Sequence, residues 1–166
     1  MTDSAADWRS RRPDGPLSPL GLAVIVLVLV VDQAAKLWAV AALTPGQPVD
    51  ILPILTLFRV ENTGIAFSFL AGSGVMLTVA TLAITVGVIA FWVRSEDGGL
   101  VATAGFAAIL GGAIGNLADR VRLGHVVDFL LLHFGDWTLF VFNPADVALT
   151  IGPILLIAVY LVPPKR

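Results

Sequence analysis

Residues 20–43 of the chain read LGLAVIVLVLVVDQAAKLWAVAAL, in which the ionisable side chains are Asp32 and Lys36. A helix of roughly 20 apolar residues crosses a hydrocarbon core of about 30 Å, so this stretch is long enough to span a bilayer. It is also too long, and has the wrong flanks, for a cleaved signal peptide. We therefore predict a first transmembrane helix that the protein retains.

Three further apolar runs are long enough to cross a membrane, and the last of them ends at two prolines. Hydrophobic residues make up 57% of the 166-residue chain and charged residues 13%, whereas soluble domains have roughly 45–50% apolar and 25% charged residues. The sequence therefore predicts one membrane domain of the all-α class, a four-transmembrane-helix bundle over residues 20–163. Its helices are expected at 20–43, 74–93, 100–118 and 145–162.

Two connections carry strand patterns, which predict a small β element on the outer side of the bundle. In the segment 44–71, residues 51–60 are rich in Ile, Leu, Phe and Val beside Pro and Gly. In the segment 126–142, Gly135 and Asp136 suit a two-residue hairpin turn between two apolar runs.

The distribution of basic residues predicts that both termini face the cytoplasm. Residues 1–19 are rich in charge, Ser and Pro and have little to bury, so we predict a disordered cytoplasmic tail. Trp38 and Trp92 lie near helix ends and are predicted to sit in the headgroup layer. The basic residues of the predicted inner side are Arg9, Arg11, Arg12, Arg94, Lys165 and Arg166, against Arg59, Arg120 and Arg122 on the outer side.

Net charge and cysteine content exclude several classes of function. The formal net charge is −2 and the basic residues are scattered, which argues against nucleic-acid binding. The chain has no cysteine, so disulfides, thiolate metal sites and a cysteine nucleophile are excluded.

Ionisable residues at membrane depth are functional candidates, because a charge there costs at least about 2.5–3.5 kcal/mol. Asp32 and Lys36 lie four residues apart on one helix face, so they can pair, and Lys36 can extend toward the outer interface. The candidates are Asp32, Lys36, Asp119, Arg120, Asp128 and Asp146.

Asp128 and Asp146 are both predicted to lie at the outer membrane face, where a short connection could bring them together. Two adjacent carboxylates would share one proton, with one acting as base on a water and the other as acid, as in aspartic proteases. The alternative is structural, with Asp146 favoured by a helix dipole and Asp128 a polar hairpin residue.

Other chemistries remain open on the residues alone. Lys36 with Ser68 could form a serine–lysine peptidase. His125 and His133, predicted to lie on a loop, could contribute to a metal site. Membrane carboxylates also build the proton relays of transporters and channels.

Four motifs, read together, resemble those of the lipoprotein signal peptidase family, also called signal peptidase II. They lie at residues 31–36, 61–67, 111–129 and 142–146, and the similarity extends over residues 20–161. The resemblance implies a bacterial inner-membrane aspartic endopeptidase with an extracytoplasmic β-cradle and an active site near that face. It would remove the signal peptide of a prolipoprotein before a diacylglyceryl-modified cysteine, without a metal or cofactor.

The resemblance also assigns residues and partners. The catalytic aspartates match Asp128 and Asp146, and the expected partners are the lipidated prolipoprotein and membrane lipids, with the enzyme a monomer. On physical grounds, side-chain amides can bind a peptide or carboxylate, Arg120 can hold a carboxylate or lipid phosphate, and Gly64 permits close backbone approach. The positions matched to substrate binding or dyad support are Asp32, Lys36, Asn62, Gly64, Asn116, Arg120, Asn143 and Ala145.

Overall fold

The computed structural model describes residues 11–64 and 74–161, with only the backbone described for 74–77. This part of the chain is mostly helical with a small antiparallel sheet, as the composition and strand patterns predict. The elements in order are α1 (Pro19–Ala42), β1 (Val49–Leu52), β2 (Leu55–Asn62), α2 (Gly74–Arg94), α3 (Gly99–Leu123), β3 (Val126–Phe134), β4 (Trp137–Phe142) and α4 (Pro144–Tyr160).

The helices differ in how well they meet the requirements for a membrane span. By length and composition α1 and α3 are apolar enough to cross a bilayer, whereas α4 and the part of α2 from Thr78 to Arg94 are shorter apolar helices. The 17 residues of α4 lie at the lower limit of about 17–25 residues for a span. Four crossings therefore remain a prediction.

The start of α1 and the end of α3 follow local rules. The Ser18 side chain caps α1 by accepting from the Gly21 amide. The helix α3 ends at Leu123, and its C-cap Gly124 adopts φ 80°, a left-handed conformation that glycine reaches without strain. The helix therefore extends beyond the predicted end at residue 118, and it stops where Gly124 provides the left-handed cap.

Helix α3 is the centre of the fold and packs against the other three helices. A Cβ atom at Gly112 would lie 2.5 Å from the Ala145 carbonyl oxygen of α4, and one at Gly111 would lie 2.9 Å from Cβ of Val28 in α1. Since these glycines have no side chain, the helix backbones approach closely. The first turn of α4 is therefore held directly against α3.

The sheet joins both predicted β segments in the order β1-β2-β3-β4, with all neighbours antiparallel. Strand β2 pairs with β3 over a long sequence separation, with Val60 opposite Asp128. Strands β3 and β4 form the predicted hairpin around Gly135 and Asp136. The two segments thus form one sheet.

Residues 11–18 pack against α2 and α3, which differs from the disordered tail predicted for residues 1–19. The Trp92 indole donates to the Asp14 carbonyl oxygen at 2.7 Å, and the Asp14 amide donates to Oγ1 of Thr103 at 2.8 Å. Trp92 is 1% exposed, so its ring packs inside the protein and is not the exposed belt residue that the sequence predicts. A buried indole N–H needs an acceptor, which this segment supplies. Residues 1–10 lie outside the described part.

Candidate active site

Asp128 and Asp146 come from different elements and are both bound to Asn143. The Asn143 side chain donates to Oδ1 of Asp128 at 2.6 Å, and its backbone amide donates to Oδ2 of Asp146 at 3.2 Å. Asp128, in β3, is 2% exposed and Asn143 is fully buried, whereas Asp146 is partly exposed. One carboxylate is therefore enclosed while the other can be reached from outside.

The start of α4 explains the position of Asp146. Asn143 is the N-cap, Pro144 follows it, and Asn143 and Asp146 form a reciprocal capping box in which the Asp146 amide donates to the Asn143 side chain at 3.0 Å. Asp146 therefore has the helix-terminal place that the structural alternative gives it, and the same contacts connect it to Asp128.

Asp128 is held from the other side by Asn62 at the end of β2. Because Val60 is opposite Asp128, Asn62 lies on the same face of the sheet, two residues along. Its amide nitrogen donates to Oδ2 of Asp128 at 2.8 Å, and its oxygen accepts from the Gly64 amide at 2.8 Å. Gly64 has φ 80°, so a glycine there orients the Asn62 amide without strain.

The surroundings of Asp128 favour its protonated form. Burial raises the pKa of Asp128 from 3.8 to about 6, the hydrogen bond from Asn62 opposes this, and the charge of Asp146 raises the pKa further. A buried carboxyl beside a second carboxylate is expected to retain a proton that the pair shares. The arrangement can therefore provide an acid and a base at one site.

Asn116 of α3 connects the aspartates to Lys36. Its amide nitrogen donates to Oδ1 of Asp146 at 2.8 Å, and its oxygen accepts from Nζ of Lys36 at 2.8 Å and from the Asn143 side chain at 3.2 Å. The amide nitrogen of Asn116 thus has an acceptor, and its amide oxygen has two donors.

Lys36 is 3% exposed and points into the protein, so the prediction that it extends toward the outer interface is wrong. It forms ion pairs at 2.9 Å with both Asp32 and Asp119, because a buried ammonium group needs compensating charges. Oδ1 of Asp32 also accepts from the Ala145 amide at 3.0 Å. The predicted pair on α1 therefore also fixes the first turn of α4.

Two residues of this network are missing from the predicted set of supporting residues. Gln33 donates to Oδ2 of Asp32 at 3.0 Å and to Oδ1 of Asp119 at 3.1 Å, and Oδ2 of Asp119 accepts from the Val127 amide at 3.3 Å. Asp119 was detectable as an ionisable residue at membrane depth, and Gln33 as a polar neighbour of Asp32. Their partners are distant in sequence, so neither role could be assigned.

Arg120 does not hold a carboxylate in the described part of the chain. Its guanidinium group donates to the Asn116 carbonyl oxygen at 3.4 Å, and the group is only partly buried. The lipid-phosphate role predicted for Arg120 stays untested.

The alternative chemistries find little support. His133 lies within β3, not on a loop as predicted, and its Nε2 is 3.0 Å from Oγ1 of Thr56. No group of three or more His, Asp or Glu side chains suited to a metal ion occurs among the described residues. Lys36 donates all its protons to acceptors, so it has no lone pair to act as a base. Ser68 lies outside the described residues.

Comparisons with known proteins agree with the motifs. The family model described as signal peptidase (SPase) II matches residues 24–162. Lipoprotein signal peptidases of Brucella ovis and Brucella melitensis biotype 1 are 44% identical over 138 residues, which cover 82% of this chain and 86% of theirs.

The fold is similar to two solved structures of bacterial membrane enzymes obtained by the in meso method. One has a TM-score of 0.81 and 26% identity, covering 95% of this chain and 99% of the other. The second has a TM-score of 0.75 and 25% identity, covering 95% and 97%. Because the family model and the relatives match most of its length, the chain belongs to the signal peptidase II family.

Proposed function

We propose that this chain is a membrane aspartic endopeptidase that removes signal peptides from prolipoproteins by cleaving before the diacylglyceryl-modified cysteine. Family membership supports a peptidase that processes lipoproteins. The observation that carries the aspartic mechanism is the joint binding of Asp128 and Asp146 to Asn143, at 2.6 and 3.2 Å. The catalytic pair would be these two aspartates, acting without a metal or cofactor.

In the proposed reaction, water is the nucleophile and the dyad holds one proton. The ionised carboxylate removes a proton from the water as its oxygen attacks the scissile carbonyl carbon, and the protonated carboxyl donates to the carbonyl oxygen. When the tetrahedral intermediate collapses, the peptide C–N bond breaks and the leaving amine receives a proton from the dyad. Asn62 and Asn143 keep the carboxylates in place through the reaction.

Access to the site supports a peptide substrate that approaches from the outer side. Asp146 is partly exposed and Asn62 is exposed, so water and an extended peptide can reach the open side of the dyad. Asp128 stays enclosed, which strengthens its electrostatic interaction with the reacting atoms. Asn62 and Arg120 would contact the substrate in this proposal, whereas Asp32, Lys36 and Ala145 would support the dyad.

The membrane arrangement is part of the proposal. We infer that α1 to α4 all cross the inner membrane, with both termini cytoplasmic and the sheet as an extracytoplasmic cradle. Exposed apolar side chains along the helices support contact with lipid. They include Leu27, Val30, Val79, Ile84, Phe91, Ile154 and Ile157.

The lipid on the substrate would provide selectivity. The acyl chains of the modified cysteine would stay in the bilayer, where each buried methylene contributes about 0.8 kcal/mol, while the residues before the cysteine lie against the sheet. One copy of the chain provides both the dyad and the sheet in this proposal, so the enzyme would act as a monomer.

The test is cleavage of a diacylglyceryl-modified prolipoprotein by purified wild type, Asp128→Asn and Asp146→Asn. Asp136→Asn, in the exposed β3–β4 turn, is the matched control, and thermal unfolding in detergent verifies folding of each variant. We expect wild type and Asp136→Asn to cleave and both dyad variants to be inactive. Near-normal activity of either folded dyad variant would refute the mechanism, and an inert wild type would favour the transporter alternative.

A further inference from the structure

The buried ammonium group of Lys36 controls the orientation of a side chain that touches the dyad. Its three protons face three acceptors, Oδ2 of Asp32 at 2.9 Å, Oδ2 of Asp119 at 2.9 Å and Oδ1 of Asn116 at 2.8 Å. A reversed Asn116 amide would turn its N–H groups toward this cation and its oxygen toward the Asp146 carboxylate. Lys36 therefore fixes Asn116 with its amide nitrogen aimed at Asp146.

The bonds of Asp146 suit an ionised carboxylate. Oδ1 accepts from Asn116 at 2.8 Å and Oδ2 accepts from the Asn143 amide at 3.2 Å, at the positive end of α4. Hydrogen bonds to a charged acceptor and a helix N-terminus both stabilise the anion. Asp128 lies on β3, where it accepts from the Asn143 side chain at 2.6 Å, and it is 2% exposed whereas Asp146 is partly exposed. A charge is therefore less well solvated on Asp128 than on Asp146.

We propose that Lys36 is a positioning residue that acts through Asn116 to keep the resting negative charge of the dyad on Asp146, leaving the shared proton on Asp128. This inference rests on the proposed function and assigns the roles within it. Asp146 is the base that takes a proton from water, and Asp128 is the acid that donates to the scissile carbonyl oxygen.

The charged groups around Lys36 come from every element packed against it. Asp32 lies on α1 and Asp119 on α3, while Asp146 on α4 is reached through Asn116. Asp128 on β3 lies one bond further along, because Asn143 stands between it and Asn116. Removing Lys36 should therefore affect Asp146 more than Asp128.

Two variants break the link at different points. Lys36→Met/Asp119→Asn removes one positive and one negative charge together, so the net charge of the cluster is unchanged. Asn116→Ala removes the same link beside the dyad and leaves Lys36 paired with both carboxylates. Losing one bond to a charged acceptor should shift the protonation of Asp146 upward by about one pH unit.

The primary readout is the infrared band of protonated carboxyl groups, followed against pH in purified full-length protein without substrate. Comparison with the Asp146→Asn and Asp128→Asn counterparts assigns the bands to the two carboxyls, which titrate as a pair. We expect this step to move upward by about one pH unit in both variants, with a smaller movement of the Asp128 step. Cleavage of the lipidated prolipoprotein should show the same shift in the acid limb of its pH profile.

An unchanged Asp146 step with reduced activity would mean a purely structural role for Lys36 and would overturn the inference. A larger shift of the Asp128 step would overturn the assignment of base and acid. If the double variant does not fold, Asn116→Ala still tests the step that the inference requires, because an unmoved Asp146 titration in that variant would overturn it. Because the titration needs no substrate, a wild type that fails to cleave contradicts the proposed function without changing this result.

Discussion

Replacing Gly112 by alanine should misplace Asp146 while leaving the fold largely intact. A Cβ atom at residue 112 would lie 2.5 Å from the Ala145 carbonyl oxygen, and an ordinary contact begins at 3.4 Å, so the two helices must separate by the difference, about 0.9 Å. Asn116 lies on α3 and Asp146 on α4, so this separation would lengthen their 2.8 Å hydrogen bond beyond hydrogen-bond distance.

The expected effect on activity is larger than the effect on stability. A misplacement of about 1 Å can lower a catalytic rate about 10²-fold. Overpacking costs about 1–3 kcal/mol, partly offset by the roughly 1 kcal/mol that alanine gains over glycine in a helix. The assay is cleavage of the lipidated prolipoprotein under saturating substrate, with thermal unfolding in the same detergent.

Gly87→Ala in α2 is the matched control, since a Cβ atom there meets nothing within 4 Å. This variant should cleave at the wild-type rate and be as stable as wild type or slightly more so. The reasoning is refuted if Gly112→Ala cleaves as fast as Gly87→Ala, because the close contact between α3 and α4 would then have no bearing on the dyad.

Three further predictions concern single residues. Burial raises the pKa of Asp128 to about 6, so protonated Asp128 stabilises the fold below pH 4 by at most about 3 kcal/mol. This contribution is lost as pH rises through 6. Asp128→Asn should remove this pH dependence of the free energy of unfolding. Asn62→Ala removes a bond that favours ionised Asp128, so the alkaline limb of the cleavage profile should move upward. Trp92→Phe loses the bond to the Asp14 carbonyl oxygen and should lower the free energy of unfolding by about 1 kcal/mol.

Each of these three predictions has a control variant or an outcome that can contradict it. Asp136→Asn, in an exposed turn, should retain the wild-type pH dependence of stability. If the free energy of unfolding of Asp128→Asn changes with pH as it does in wild type, the first prediction is refuted. A downward or absent shift in Asn62→Ala would contradict the second. Trp38→Phe, at a 48% exposed site, should unfold like wild type, and an equal loss at both tryptophans would contradict the third.

Local sequence patterns were sufficient for the secondary structure but not for some ends of elements. The apolar runs predicted the four helices, and Gly135 and Asp136 predicted the β3–β4 hairpin. The end of α3 at Leu123 was predicted at residue 118, where the apolar run ends. The structure shows Asp119 paired with Lys36, which lets a charged residue remain in the helix.

The direction of long side chains was less predictable than their positions. The spacing of Asp32 and Lys36 predicted their pairing, and the structure has it at 2.9 Å. The same sequence could not show that Lys36 turns inward, since this depends on Asp119 and Asn116, which lie on another helix. Trp92 was misplaced for the same reason, because its acceptor belongs to residue 14.

The sequence by itself determined the apolar helices, the strand segments and the two aspartates as candidates, because these depend on residue type and spacing within one segment. The tertiary structure alone decided the joining of β2 to β3, the sharing of Asn143 by Asp128 and Asp146, and the path from Lys36 through Asn116 to the dyad. Such contacts join segments far apart in the chain, and their geometry depends on how closely the helices pack. Glycines on α3 permit that packing, so the site forms only when the whole fold is assembled.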